Sequence, residues 1–479
     1  MVIRMNKSTL LLIFIFIVIS LMIIIRPVVA IGDSWCSKSS MPSGGAVYGA
    51  TVIDEEIYAF GAYGYDGITH YTAEKYDPKT DTWSTIAQMP TPRIEFATAV
   101  YENKIYIIGG KISRGDASLN TVEVYDPTTN SWTSVSSIPT ARDSMQANTV
   151  NGKIYVISGK ISLTHAQSVA VFSDKNEVYD PQTDTWASVT SIPNHVAGYV
   201  SAVLDNKIYV IGGSTEEPPI GWYAVNTTQI YDPATDAWTF GADIPETVEG
   251  AVGCATTGSM APKRIYVFAG HDENGHRDLN QVYDPIIDEW ITAVKQNFYG
   301  YGELATTVID DLIYAIGGSY SELVSSNPWG YTVNPDPVYC PNPPFPAVNY
   351  RYTPIGYGAS EFISPNITLL SPMNKDYSLG NVSITYTVDE STSWAGYRLD
   401  EQKLVTITGN TTLIGLASGI HNITLYARDT SGNSGISETG MFSVDKPEPF
   451  PAGLFVVAVV VIIVCAGLLV YLKKNKRAP

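Results

Sequence analysis

The 479 residues predict an all-β protein: a six-bladed β-propeller, then a β-sandwich, then one C-terminal transmembrane helix. Three observations carry this. A Tyr-Asp-Pro triplet followed by Trp recurs through the first two thirds of the chain. Short alternating runs rich in Thr and Ser follow it. An uninterrupted apolar stretch closes the sequence. Composition narrows the class further. Charged residues make up only 16% and aromatics 11%, which excludes a globally disordered chain. The formal charge of −18 disfavours nucleic-acid binding, because a phosphate backbone selects basic surfaces. Four Cys in this length exclude a disulfide-dense scaffold and a multi-cysteine zinc cluster.

Residues 1–30 read as a signal peptide. Arg4 and Lys7 precede an apolar run from Leu10 to Ile25, and Val28-Val29-Ala30 offers small residues for cleavage. An uncleaved anchor is the alternative.

Residues 31–357 are expected to form the propeller. Tyr76, Tyr125, Tyr179, Tyr231 and Tyr283 each open a Tyr-Asp-Pro, and a Trp stands seven residues after each Tyr, at 83, 132, 186, 238 and 290. A second signal keeps the same beat: Ile-Tyr, two apolar residues, then small residues, beginning at Ile57, Ile105, Ile154, Ile208, Ile265 and Ile313. These pieces read as four antiparallel strands per unit. Strand a is small and apolar, and a tight turn such as Asn151-Gly152 leads to strand b. Strand c ends where Asp-Pro reverses the chain, and strand d carries the Trp. Four antiparallel strands repeated about every 50 residues describe a propeller blade. Trp35 precedes any strand a and no Trp follows the last unit, so the N-terminal strand is expected to serve as strand d of the sixth blade. Closure by the two chain ends removes exposed sheet edges. Cys36 on that strand and Cys340 in the last b–c connection are expected to form a disulfide, stabilising the closed ring by about 5–6 kcal/mol on a chain-entropy argument. The glycine pair, the Tyr and the Trp together resemble kelch repeats. The last unit departs from the pattern by lacking Tyr-Asp-Pro.

Residues 358–364 are read as a linker and 365–445 as a sandwich, with no cysteine for an inter-sheet bond. Gly419 to Asn433 resembles the end of prokaryotic immunoglobulin-like modules. Trp394 is expected in the core. Asn226, Asn366, Asn381, Asn410 and Asn422 head glycosylation triplets. Residues 446–451 form a proline spacer. Residues 452–472 carry no formal charge, and as a helix would span roughly 31 Å, the thickness of a bilayer core. The basic tail, 473–479, is expected on the cytoplasmic side. This organisation resembles archaeal and bacterial surface proteins, and the expected localisation is a single-pass cell-membrane protein with its ectodomain outside. The seven basic residues at the two ends carry no acid beside them, leaving 22 basic against 47 acidic residues between.

Antiparallel alternation puts the b–c and d–a connections on one face. The b–c connections are long and dissimilar, so that face is the expected binding face. Its candidates are Tyr65, Trp222 and Tyr223 on the loops, and Arg93, Glu95, Arg142, Asp143, His195, Glu249 and Glu303 around the central mouth. Exposed aromatics beside carboxylates suit a sugar or a protein, so the expected partner is an extracellular protein or glycan, with no cofactor, no metal and no nucleic acid. The repeated Tyr and Trp are read as inter-blade core. His271 to His276 reads as a polar loop in preference to a cation site. The kelch resemblance implies two enzymatic alternatives. A copper sugar oxidase needs a Cys–Tyr–His set, and only Cys36, Cys254 and Cys340 lie in this region. A sialic acid mutarotase needs an acid and an Arg, for which Glu95 and Arg93 stand. A structural envelope component is the third reading.

Overall fold

The computed structural model describes residues 32–43, 45–61, 72–113, 115–163, 171–217, 221–272, 275–276, 278–295, 301–319, 348–358, 364–378, 380–445 and 463–466. The chain divides into two compact units, one of residues 1–363 with 430–434, the other of 364–429 with 435–479.

Among the described residues of the first unit, six four-stranded antiparallel sheets form the main architecture. The first runs Gly49–Ile53, Glu56–Phe60, Ala73–Asp77 and Thr82–Thr85; the second Ala97–Tyr101, Lys104–Ile108, Val122–Asp126 and Ser131–Val135. The third runs Gln146–Val150, Lys153–Ile157, Asn176–Asp180 and Thr185–Val189; the fourth Val200–Leu204, Lys207–Ile211, Thr228–Asp232 and Ala237–Gly241. The fifth is Val252–Ala255, Ile265–Phe268, Asn280–Asp284 and Glu289–Thr292. The sixth takes Tyr301–Ile309, Leu312–Ser319 and Val348–Thr353, and its fourth strand is the N-terminal Ser34–Ser37, antiparallel with Trp35 opposite Tyr352. The inner strands neighbour one another in sequence order, and Tyr301–Ile309 packs against both Val252–Ala255 and Gly49–Ile53.

The Tyr–Trp beat has a physical cause. In each sheet the Tyr ring lies 4.8–5.2 Å from its Trp. The Tyr hydroxyl donates to an Asp or Asn two residues before that Trp: Asp81, Asn130, Asp184, Asp236, Asp288 and, in the sixth sheet, Asp33. The same side-chain oxygen accepts a backbone N–H from the stretch that leaves the preceding sheet, at Ser39, Ala87, Ser136, Thr190, Ala242 and Val294. The Trp Nε1–H donates to the carbonyl of that same residue. Each sheet thus grips its predecessor through three side chains. All six gripping Asp or Asn residues hold a left-handed backbone, φ 49–56°, which these two side chains tolerate better than other non-glycines. The Tyr of the last unit is Tyr352, in Tyr352-Thr353-Pro354, so the missing triplet survives with Thr in place of Asp. Cys36 is exposed on its strand, while Cys340 lies outside the described residues.

The second unit has a sheet of Ile367–Ser371, Val382–Val388 and Thr411–Leu413, and a second of Lys375–Tyr377, Gly440–Val444, Gly419–Asp429, Thr392–Leu399 and Val405–Ile407. Alternate residues of both fill one core, including Ile367, Leu369, Val382, Ile384, Ile423, Leu425 and Phe442. Trp394 corrects the expectation of a core position. It is half-buried, its Nε1–H donates to Thr406 Oγ1, and the Arg428 guanidinium lies 5.9 Å from its ring. All five triplet asparagines are exposed. Of the expected membrane span only residues 463–466 are described, and they are helical. Among the described residues no helix is long and apolar enough to cross a membrane. The leader, the proline spacer and the basic tail lie outside the described residues.

Candidate functional site

A cavity of about 220 Å³ opens at the centre of the first unit, on the face of the b–c and d–a connections. Two repeated positions make its wall. The residue after each small pair, closing strand b, forms a one-rung bridge to the d–a connection: Lys111 to Ile94, Lys160 to Asp143, Ser214 to Ala197 and His271 to Glu249. The residue after that rung turns inward and links to the next. Ser144 N–H donates to Glu95 O, Gly198 N–H to Ser144 O and Gly250 N–H to Gly198 O. The four residues share a left-handed φ of 54–65°. Glycine meets that demand at two of them, whereas Glu95 and Ser144 hold it at a local cost of about 1–3 kcal/mol. Gly110 shows how tight the rung is: a Cβ there would sit 2.6 Å from the Ile94 carbonyl oxygen.

Of the predicted mouth residues, Glu95 and Glu249 line the cavity. Lys160, His271, Ser144 and Gln146 join them, all missed as site residues in the sequence. Lys160 Nζ lies 3.4 Å from Glu249 Oε1, and His271 Nε2 lies 3.7 Å from Glu249 Oε2. Lys111 Nζ sits 2.7 Å from Glu95 Oε2 and 3.3 Å from Asp143 Oδ1. Burial alone would lower the Lys111 ammonium, but the charges of Glu95 and Asp143 overcome it and raise its pKa. Asp143 is fully buried beneath the rim. Burial would raise its carboxyl, and Lys111 with the hydroxyls of Ser118, Ser162 and Ser144 holds it below the usual range. The floor is formed by Tyr48, Phe96, Met145, Tyr199 and Ala251.

Arg93 and Arg142 do not reach the cavity, which corrects their reading as ligand contacts. Both are wholly buried and paired with a strand-c carboxylate of the sheet that follows them, Glu123 and Glu177 respectively. Arg93 also donates to the carbonyls of Thr91, Gly109 and Thr121, and Arg142 to those of Ser158, Lys175 and Val156. They brace the b–c gap of that sheet. In the fourth and fifth sheets both partners are replaced together, whereas the first keeps a buried Glu74 at the carboxylate position with Gly45 at the arginine position. Val196 goes with Gln229, and Val248 with Gln281, each glutamine exchanging two hydrogen bonds with the backbone of Asn194 or Glu246.

Trp222 and Tyr223 lie on a two-stranded hairpin, Ser214–Glu217 with Gly221–Ala224, and are 54% and 41% exposed. Lys160 Nζ lies 4.0 Å from the Trp222 ring centroid, and Phe172 meets that ring edge-on at 5.9 Å. His195 is half-buried, 6.5 Å from Phe172. Tyr65 lies outside the described residues, and of Glu303 only the backbone is described. Among the described residues no three His, Cys, Asp or Glu stand together as a metal site.

Comparison with known proteins agrees with this geometry. A family model described as "KLHDC2/KLHL20/DRC7 Kelch-repeats domain" matches residues 34–159, and the Kelch motif matches 141–193 and 195–245. Kelch-like protein 35 of Mus musculus is 26% identical over 51% of this chain and 30% of its own. Beta-scruin of Limulus polyphemus is 36% identical over 16% of this chain and 8% of its own. The matches thus span under a third of these relatives. The solved structure of YjhT superposes with a TM-score of 0.50 at 18% identity, covering 59% of this chain and 93% of that one. The repeat beat, the kelch-repeat matches within residues 34–245 and the likeness of fold together support a kelch-type β-propeller in the first unit.

Proposed function

We propose that the protein is a recognition module displayed at the cell surface, anchored by residues 452–472, whose six sheets form a closed six-bladed ring that takes an extracellular protein or glycan at its mouth. The observation that carries this reading is the polar cavity on the loop-rich face, with Trp222 and Tyr223 exposed on that same face. Glu95 supports it: a carboxylate aimed into the cavity from a left-handed backbone that two other blades assign to glycine. The strand order supports the orientation. The last propeller strand ends at Thr353 beside Ser34, so both ends of the ring lie on the face opposite the cavity. Exposure of all five triplet asparagines fits a glycosylated ectodomain carrying an immunoglobulin-like module. The sugar-isomerising alternative places Arg93 beside Glu95 in the cavity, whereas Arg93 is turned to Glu123.

Membrane-impermeant biotinylation of intact cells tests the placement, and the chain is expected to be labelled before lysis. Labelling only after lysis refutes it. A photo-crosslinking residue in place of Tyr223 is expected to capture a surface protein or glycoconjugate, and the same residue on the opposite face, at Glu102, to capture none.

A further inference from the structure

The charges at the mouth do not cancel. Among the described side chains, the carboxylates of Glu95, Asp143 and Glu249 stand against the ammonium groups of Lys111 and Lys160, and Lys111 is shared between Glu95 and Asp143. With the His271 imidazole neutral, one negative charge is left over. That excess faces the cavity. The side chains of Glu95 and Glu249 are 25% and 22% exposed, those of Lys111 and Lys160 only 11% and 10%. Glu95 Oε2 takes both Lys111 Nζ and the Ser144 hydroxyl, which leaves Oε1 to the cavity. Glu249 leans over Gly198, its Cγ 3.2 Å from where a Cβ would stand there, and Gly198 is bonded to the Ser144 that contacts Glu95. Glu249 Oε2 lies 3.7 Å from His271 Nε2, beyond a close hydrogen bond. Trp222 takes no part, because Lys160 Nζ already lies over its ring at 4.0 Å. The rim beyond is apolar. Ile112, Leu163, Val171 and Tyr223, on the b–c connections of the second, third and fourth sheets, are 41–47% exposed.

We infer that the mouth takes one alkylammonium group, the side chain of a lysine on a protein partner, at Glu95 and Glu249, with the partner's flanking apolar residues on the rim. This rests on the recognition reading and narrows it to one ligand chemistry. An ammonium is a compact cation with three donors and no acceptor, which suits carboxylate oxygens beside the Ser144 hydroxyl and the Gln146 amide. A cavity of about 220 Å³ admits that head and its stem, while the rest of the partner stays outside. The net acid of the chain favours the approach of a cation. The full chain, purified in a neutral detergent, is to be titrated with acetyl-Leu-Lys-Leu-amide by calorimetry and saturation-transfer NMR, at about pH 8, where an ordinary imidazole is neutral. The same peptide with norleucine or glutamate at its centre, and n-butylammonium, are the comparisons. The lysine peptide is expected to bind, more weakly as salt rises, and the norleucine and glutamate peptides are not. Glu95→Gln leaves Lys111 its partner Asp143, and is expected to weaken binding about tenfold, the scale of one lost hydrogen bond to a charged group. Glu95→Gln with Glu249→Gln reverses the sign of the excess and is expected to turn the preference to the glutamate peptide. Glu102→Gln removes one charge from the opposite face and is expected to change nothing. An unchanged melting midpoint separates lost binding from lost fold. The inference is overturned if the lysine peptide does not bind, if the norleucine peptide binds as well, or if the double variant keeps the lysine preference. Equal binding of n-butylammonium assigns the site to a free amine and overturns the protein partner. A surface protein crosslinked at position 223 together with no lysine binding defeats this inference alone. Absence of surface labelling defeats the surface reading and leaves the titration readable.

Discussion

The closure of the ring can be broken at one atom. Asp33 Oδ1 accepts the Val294 N–H at 2.8 Å and the Tyr352 hydroxyl at 2.7 Å, while Trp35 Nε1–H donates to the Val294 carbonyl at 3.1 Å. Asp33 also holds φ at 56°. Asp33→Ala removes both hydrogen bonds to a carboxylate, each worth about 1.5–3 kcal/mol when well shielded and less at this partly solvated site. It also places an alanine in the left-handed region at about 1 kcal/mol. The expected loss is about 2–4 kcal/mol. Asp33→Asn is the informative partner, because Asn130 does the same work in the second sheet, accepting from Tyr125 at 2.8 Å and from the Ala87 N–H at 2.8 Å. Its expected cost is below about 1 kcal/mol. Asp184→Ala makes the same local change in a sheet whose four strands are consecutive in the chain. Urea unfolding of the three variants measures the energies. Hydrogen exchange then locates them: Asp33→Ala is expected to speed exchange across Ser34–Ser37 and Val348–Thr353, and Asp184→Ala is not. Equal costs for Asn and Ala at position 33, or unchanged exchange on Ser34–Ser37, would show that this contact does not hold the ring closed.

Arg142→Val alone strands Glu177 as a buried, unpaired carboxylate and is expected to cost about 3–5 kcal/mol in urea unfolding. Arg142→Val with Glu177→Gln recreates the pair seen at Val248 and Gln281, and is expected to recover most of that loss. The gripping carboxylates also set acid stability. Hydrogen bonds from Tyr76, Tyr179 and Tyr231 and from backbone N–H groups hold Asp81, Asp184 and Asp236 below the usual carboxylate range. A depressed folded pKa contributes stability that is complete above the unfolded value, near pH 4, and is lost as pH falls through the folded one. Unfolding midpoints measured stepwise below pH 4 are expected to fall more slowly in Asp184→Asn than in the parent. His421 acts in the opposite sense. Burial lowers its pKa, but the hydrogen bond to Asp400 at 2.6 Å, with the Ala417 carbonyl and the Asp400 charge, raises it overall. Its contribution is present below the unfolded value near 6.5 and lost as pH rises through the raised folded value. NMR titration of the His421 ring is expected to show that raised midpoint, and Asp400→Asn to abolish it.

The beat of the propeller was legible because one contact needs all of it. Tyr, the left-handed Asp or Asn, and Trp stand at fixed spacing since a single inter-sheet grip uses the three together, and Trp35 exposed the ring closure by standing where a fourth strand belongs. Tyr352 escaped because the triplet was read through its Asp, which caps a turn, and not through its Tyr, which makes the grip. The arginines misled for a related reason. They sit two and one residues from Glu95 and Asp143 in a segment that edges the mouth, yet their side chains run back into the blade. The signal that assigns them was present in the sequence as a pair that changes together in four repeats, Arg with Glu in two and Val with Gln in two others, while the first repeat keeps Glu74 opposite Gly45. Comparing repeats with one another therefore separates bracing from binding: positions that change in register with a partner inside the blade are structural, as Arg142 is with Glu177. By the same test Trp222, on a loop unlike its neighbours, is released from the fold and open to selection by a ligand. The wall residues Lys160 and His271 belong with it. They follow the small pair that ends strand b, a place where the backbone is dictated by the rung and the side chain is not.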